Sequence, residues 1–253
     1  MKKEVLLILN AIQDEGYDAY VVGGFVRDHI MLSVNSHDID ITTNAPVHVL
    51  KNIFHDYAPK EFKYGTIRIK SNEDNFDIAH YRKEELIDGK LHVEFTDSLF
   101  EDSNRRDFTI NAIYQDANGS FTDFHNGLED LKNMTLSFIG NPITRLDEDP
   151  SRILRYIYLL IRFDLNYVPS EFSLIKDKIR FYLEKCSLYD INKYFVKIFD
   201  TSSVGKMVDL LHDFDVYDFF FNNEVYDKTI TVNELLNDSG YKFYSELPNR
   251  FKK

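Results

Sequence analysis

The segment SHDIDITT, residues 36–43, carries the densest chemistry in the chain. Asp38 and Asp40 lie two apart, with Ile39 between them and Ile41 after. Residues two apart on a strand project from one face, so the spacing predicts both carboxylates on one side and both isoleucines in a core. Side-by-side carboxylates repel unless a cation sits between them. Magnesium suits such a pair, because a few carboxylates, several waters and substrate phosphates complete its octahedron. The plain alternative is a polar edge strand, and an Asp-Ile-Asp triplet alone does not separate the two.

Other segments add to it. In VVGGFVRD, residues 21–28, an apolar strand runs into Gly23 and Gly24 and a helix starts near Phe25. Glycines let a backbone approach phosphate closely, and a helix N-terminus offers unpaired N–H groups to anions. Arg27, in the first turn, suits phosphate binding. The glycines also fit a simple tight turn, with Asp28 neutralising Arg27 or capping the helix. Asp77 lies between the core-type residues Phe76 and Ile78, so it faces away from them, either beside Asp38 and Asp40 or as an ordinary exposed strand acid. In RRDFTINAI, residues 105–113, Phe108 and Ile110 are core-type, whereas Arg105, Arg106 and Asp107 form a polar cluster that also fits a solvated ion-pair network. EDPSRILR, residues 148–155, reads as a helix start with acids in its first turn and Pro150 near its first position. Asp149, Arg152 and Arg155 then share one helical face, where an i,i+3 ion pair is the structural alternative to a binding role.

The elements that must position these residues divide the chain in two. Residues 19–22, 37–42, 66–70 and 76–80 read as strands, residues 71–75 as a turn and residues 47–54 as a helix after Pro46. From Pro150 onward the strands disappear, and residues 151–163, 171–185, 188–199 and 204–212 read as helices. The expected fold class is α+β: a mixed sheet with helices in residues 1–140, then an all-helical portion in residues 141–253. The segment from Asn222 on is polar and weakly patterned. Phe219 to Phe221 suit either a core or an exposed interface.

Composition narrows the classes. The chain has 253 residues, enough for one or two domains. Its net charge of −12 argues against a broad nucleic-acid-coating surface, while leaving room for a local basic groove and for acids gathered at a metal. The lone Cys186 excludes an internal disulfide and a multi-thiolate metal site, so a reducing cytoplasm is the default. Cys186 is expected to pack rather than react. His55, His80, His92 and His125 lack metal-ligand spacing and read as surface or packing residues. Lysines and a short apolar run open the chain, but Glu4 and the Gln13-Asp14-Glu15 run favour an amphipathic helix over a signal peptide. No stretch is long and apolar enough to span a membrane.

Taken in order, these segments resemble the class II tRNA nucleotidyltransferase and bacterial poly(A) polymerase family, within the polymerase-β-like superfamily. VVGGFVRD with HDIDITT resembles its first motif. KYGTIRI and FDIAHYR, residues 63–69 and 76–82, resemble the following hairpin, where the family usually has Glu in place of Asp77. RRDFTINAI is close to the second motif, and FTDFHNGLEDLKN, residues 121–133, resembles the link to the neck. RLDEDPSRILR, residues 145–155, resembles the nucleotide-selecting motif. The resemblance implies a polymerase-β-like head followed by a helical neck and shortened body. It implies two Mg2+ ions held by Asp38 and Asp40, with Asp77 as third catalytic acid, serving in-line attack of an RNA 3′ hydroxyl on a nucleotide α-phosphate. Gly23, Gly24 and Arg27 would contact the triphosphate, and Arg106 and Asp107 the nucleotide. Asp149, Arg152 and Arg155 would read the Watson–Crick edge of the incoming base, an Asp accepting an amino group and an Arg donating to a ring nitrogen or carbonyl.

The implied activity is addition of CCA to tRNA 3′ ends from CTP and ATP. Poly(A) addition and CC-only or A-only addition are enzyme alternatives, and the short chain leans away from poly(A) polymerase. A nucleotidyltransferase acting on a protein or a different RNA is a further one. A non-catalytic nucleotide-binding module is the alternative outside catalysis, opposed by the intact acids. Three features depart from the family. Tyr158 stands where an Arg is common. Residues 83–95, expected as a flexible loop, lack the usual Arg-Pro or His-Pro near Lys90. The chain also stops after the neck and the start of a body, leaving a homodimer or another partner to supply RNA grip.

Overall fold

Strict alternation shapes the sheet around the acidic strand. Ile39 and Ile41 are buried, Asp38 and Asp40 exposed, as a two-residue period demands of a strand with one face in the core. The structure, a computed structural model, describes residues 1–34, 36–199, 204–217 and 219. The chain divides into two compact units, residues 1–133 with 137–140, and residues 134–136 with residues from 141 onward.

The first unit opens with α1 (Lys3–Asp14), whose Val5, Ile8, Leu9 and Ile12 are buried, the i, i+3, i+4, i+7 stripe of an amphipathic helix. There follow β1 (Ala19–Val22), α2 (Gly24–Leu32), β2 (Asp38–Thr43), α3 (Val47–Ile53), β3 (Lys60–Phe62), β4 (Thr66–Ser71) and β5 (Asp74–His80). Then come β6 (Arg82–Ile87), β7 (Lys90–Phe95), α4 (Leu99–Asn104), β8 (Ile113–Gln115), β9 (Phe121–Asp123) and α5 (Gly127–Lys132). Seven strands form one sheet in the order β3-β4-β5-β2-β1-β8-β9. It is mixed: β2 and β5 run parallel and the other pairs antiparallel. Ile67, Ile69, Phe76 and Ile78 join the isoleucines of β2 in the core.

Residues 83–95, expected as a flexible loop, instead belong to the hairpin β6–β7, paired from Arg82↔Phe95 to Ile87↔Lys90. Asp88 and Gly89 turn it, both with positive φ (50° and 73°). That is the Asp-Gly signal of a two-residue hairpin turn.

The second unit contains β10 (Thr135–Leu136), α6 (Pro142–Glu148), α7 (Arg152–Phe163), β11 (Asn166–Tyr167), α8 (Pro169–Ile175), α9 (Ile179–Lys185), α10 (Leu188–Phe199) and α11 (Val204–Asp213). Asn141 caps α6, its side-chain oxygen accepting from the Ile143 and Thr144 amides (2.9 and 3.3 Å), with Pro142 opening the helix. The expectation of no strand after Pro150 is corrected by β11, which pairs in parallel with β10. The single helix expected over residues 171–185 is two, with a 3-10 turn at Lys176–Lys178 between them. Asp149 does not lie in the helix with Arg152 and Arg155. It is extended (φ −147°, ψ 97°) at the end of α6, and Ser151 precedes α7. Pro150 explains this, since a proline forces its predecessor out of the helical region. Cys186 packs near the Pro150 and Tyr182 carbonyls (3.4 and 3.3 Å), and burial pushes its thiol up to about 12. Phe219 is buried; Phe220, Phe221 and the weakly patterned C-terminal segment lie outside the described residues.

Gly127 opens α5 against the turn that carries Thr109. A Cβ there would meet the Thr109 carbonyl oxygen at 2.3 Å and Ile113 Cγ1 at 2.9 Å. Backbone cannot yield as a side-chain tip can, so Gly127→Ala should lower unfolding free energy by about 1–3 kcal/mol. Urea titration checks this, and an unchanged midpoint would contradict the packing.

Candidate active site

Sheet register gathers the acids. In the parallel β2–β5 pair Asp40 stands opposite Asp77, and Asp38 opposite Asn75, so Asp38, Asp40 and Asp77 project from one face. Asn75 Nδ2 donates to Asp38 Oδ1 at 3.1 Å. One strand further, Arg68 of β4 stands opposite Asp77. Its Nε and Nη2 donate to Asp77 Oδ1 and Oδ2 at 2.6 and 2.5 Å, a bidentate ion pair. The hydrogen bond to Asp77 raises the Arg68 pKa, and the charges of Asp77, Asp38 and Asp40 add to it against partial burial. Arg68 was not singled out in the sequence. Its signal there is the alternation of TIRIK, which points it to the acidic face.

The glycine turn lies against these acids. Gly23 has φ 78° and ψ −142° and immediately precedes α2. A Cβ on Gly23 would sit 3.2 Å from Asp40 Oδ2. A side chain here would therefore meet both a strained backbone and the Asp40 carboxylate. Arg27 is buried. Its Nε and Nη2 donate to Asp28 Oδ1 at 3.0 and 2.7 Å, and Nη1 donates to Asn111 Oδ1. Asn111 Nδ2 in turn donates to Asp107 Oδ1 at 3.0 Å. The structure thus joins Arg27 and Asp107 through Asn111, which the sequence had placed only inside a motif.

A buried carboxylate, also overlooked, organises the second motif. Asp102 is fully buried. Its Oδ1 accepts from Arg105 Nε (2.8 Å), and its Oδ2 from Arg106 Nη2 (3.2 Å), Tyr114 OH (3.3 Å) and Thr42 Oγ1 (3.4 Å). Arg106 Nε also donates to Tyr114 OH at 3.0 Å. Burial pushes the Asp102 pKa up, but Arg106 and Arg105 outweigh it and hold the carboxyl below its ordinary range. Burial alone would lower the Arg106 pKa, yet Tyr114, Asp102 and Asp40 raise it, so the guanidinium keeps its charge. The cluster that also fitted a solvated ion-pair network is a knot around the buried Asp102, on the Asp40 side of β2. Sequence held a hint: Asp102 precedes Arg105 and Arg106 by three and four residues, on a helix whose Ser98 cap accepts from the Glu101 amide.

The second unit places its three residues differently. Asp149 Oδ1 accepts from the Ser151 amide and hydroxyl (3.0 and 2.7 Å). Arg152 Nη1 donates to Glu148 Oε2 and the Arg145 carbonyl (2.7 and 2.9 Å). Arg155 Nε donates to Tyr194 OH at 2.8 Å. Tyr158 is buried beside Tyr194, ring centroids 5.9 Å apart. Of the histidines, His80 is buried against Phe95, and His125 Nε2 lies 2.8 Å from Ser103 Oγ.

A hard divalent cation is satisfied by one or two carboxylates with water and phosphate oxygens. Asp38 and Asp40 offer that set on an exposed face. Asp77 has both oxygens on Arg68, and among the described residues no three His, Cys, Asp or Glu side chains form a metal-holding group. The arrangement therefore fits a cation held by Asp38, Asp40 and phosphate.

Asp102→Asn removes the buried charge that two guanidinium groups share, leaving Arg105 with Glu84 (3.3 Å) and Arg106 without its paired carboxylate. It should cost about 3–5 kcal/mol of stability at neutral pH. Because the folded pKa is depressed, the contribution is complete above the unfolded value of about 3.9 and is lost as pH falls through the folded value. Urea unfolding at stepped pH should show a constant gap between parent and variant down to about pH 5. A gap already shrinking between about pH 7 and 5 would contradict the assignment.

Residues 19–137 match the poly A polymerase head domain. Over 194 residues the chain is 35% identical to a CCA-adding enzyme of Lactobacillus helveticus, spanning 76% of this chain and 48% of that protein. A Staphylococcus epidermidis CCA-adding enzyme is 42% identical over 151 residues, 58% of this chain and 38% of the other. Among solved structures, the Bacillus stearothermophilus CCA-adding enzyme in complex with CTP aligns at a TM-score of 0.74 and 27% identity, covering 85% of this chain and 53% of that one. The Thermotoga maritima CCA-adding enzyme complexed with tRNA aligns at 0.72 and 25% identity, covering 90% and 55%. The chain spans about half the length, or less, of the relatives it matches. Residues 19–137 are therefore a poly A polymerase head domain, in a chain similar to CCA-adding enzymes over 76% of its length.

Proposed function

We propose that the chain takes part in template-independent nucleotidyl transfer to RNA 3′ ends, adding CCA to tRNA from CTP and ATP with release of pyrophosphate. The observation that carries this reading is the Gly23 turn against Asp40. A phosphate drawn to the start of α2 would lie beside the two exposed acids of β2, because Gly23 has no side chain to keep it away. The CTP, ATP and tRNA named with related structures support the choice of substrates.

Nucleotidyltransferases of this kind need divalent cations, and we take the cation to be Mg2+, held by Asp38 and Asp40. When bound, it would supply charge to the triphosphate and activation to the attacking hydroxyl. Gly23 and Gly24 present the helix N-terminus to the triphosphate, and Arg27 is held beside it by Asp28 and Asn111. Arg106 and Asp107 orient the nucleotide from the rigid frame around Asp102 and Asn111. Asp77 acts through Arg68, holding its guanidinium on the acidic face. The second unit, from residue 141 onward, would serve as the neck and read the base through Asp149, Arg152 and Arg155. For that, Arg152 and Arg155 exchange Glu148 and Tyr194 for the base edge.

The test incubates the chain with Mg2+, each labelled nucleotide, and tRNA ending before the first C, after one C, or after CC. Ordered CTP then ATP incorporation is expected, abolished by chelation and reduced at least about 1,000-fold by Asp40→Ala. Long A tails on other RNA, with no tRNA extended, would instead identify poly(A) addition. Nucleotide binding without transfer, unchanged by Asp40→Ala, would identify a non-catalytic module.

A further inference from the structure

The acidic face of the sheet continues into a basic one. By register, Lys60 of β3 stands opposite Arg68, Arg68 opposite Asp77, and Asp77 opposite Asp40. In the next row Lys70 stands opposite Asn75, and Asn75 opposite Asp38. Directly opposed residues share a face, so Lys60, Arg68 and Lys70 lie on the same side as the carboxylates, and all three are exposed. Phe62, two residues after Lys60, joins them and is 40% exposed. Lys60 Nζ lies 5.3 Å and Arg68 Cζ 5.4 Å from its ring centroid. Adjacent strands are about 4.8 Å apart, so the cations of β4 lie about two strand spacings from Asp38 and Asp40.

We infer that this face of β3 and β4 seats the single-stranded 3′ segment of the acceptor RNA, with the terminal nucleotide over β2 and the preceding ones over Arg68, Lys60 and Phe62. The inference rests on the proposed RNA-extending function and names the surface that function needs. Single-stranded nucleic acid is held by cations that track its phosphates and by an aromatic ring on which a base stacks. Both are present here, on a chain whose net charge is −12. Lys60 and Lys70 supply the positive charge that a polyanion can approach, while the Arg68 guanidinium, balanced by Asp77, offers a donor plane between them. The flanking cations leave Phe62 an exposed area that a stacked base would cover. Asp77 is a positioning residue in this arrangement: its two-point bond sets the plane of the Arg68 guanidinium.

The experiment measures binding of a 5′-labelled single-stranded RNA with a free 3′ hydroxyl to the full chain, by fluorescence anisotropy across salt concentrations and without nucleotide. Phe62→Ala should weaken affinity about tenfold, and Phe62→Trp should retain it. Lys60→Ala and Lys70→Ala should each make the log–log salt slope shallower by about 0.7. In transfer assays the same variants should raise the RNA KM while leaving the nucleotide KM unchanged. The inference is overturned if the parent binds no RNA, if Phe62→Ala alters the oligomeric state rather than RNA affinity, or if affinity and slope stay at parent values. RNA binding through these residues without any transfer would sink the functional reading and leave the surface standing. Transfer with unaltered RNA affinity in the variants would do the reverse.

Discussion

Three carboxylates on one sheet face create a charge problem that the surrounding structure is arranged to solve. The parallel β2–β5 register sets Asp40 directly opposite Asp77, and like charges in that position destabilise a sheet. Arg68 neutralises Asp77 from the next strand. Arg106 adds positive charge on the same side of β2, where its charge and that of Asp40 act on each other. What remains exposed is the Asp38 and Asp40 pair, the part of the face suited to a cation and a phosphate.

The same compensation explains why so much of the second motif is buried. Arg106 is held beside β2 by Asp102 and Tyr114, and Thr42, two residues after Asp40 on the same face, bonds the same carboxylate. A buried charge is tolerable when it is paired and fully hydrogen-bonded. The knot therefore connects the acidic strand to the RRD segment through Thr42, Asp102 and Arg106. Arg27, Asn111 and Asp107 make a parallel link from the glycine turn. Two motifs separated by over sixty residues are held as one surface by these two polar chains.

Much of this was readable in the residues, for local reasons. Alternation around Ile39, Ile41, Phe76 and Ile78 identifies strands and their buried sides, because the period of a strand is local. The Gly23-Gly24 step announces a turn into a helix. Where local signals competed, they misled. Asp149, Arg152 and Arg155 have helical spacing, yet Pro150 keeps Asp149 extended. The Asp88-Gly89 pair signals a hairpin, but residues 83–95 read as a loop when matched to the family's flexible segment.

By itself the sequence determined the alternation of β2, β4 and β5 about their buried apolar residues, the order of the motifs and the acidic pair, since each depends on neighbours a few residues apart. Only the tertiary structure decided partners. That Asp77 is held by Arg68, that Asp102 anchors two arginines and Thr42, and that Lys60, Arg68 and Phe62 border the acids all depend on strand order and register. Those are set by packing between segments far apart in the chain, and no local period encodes them.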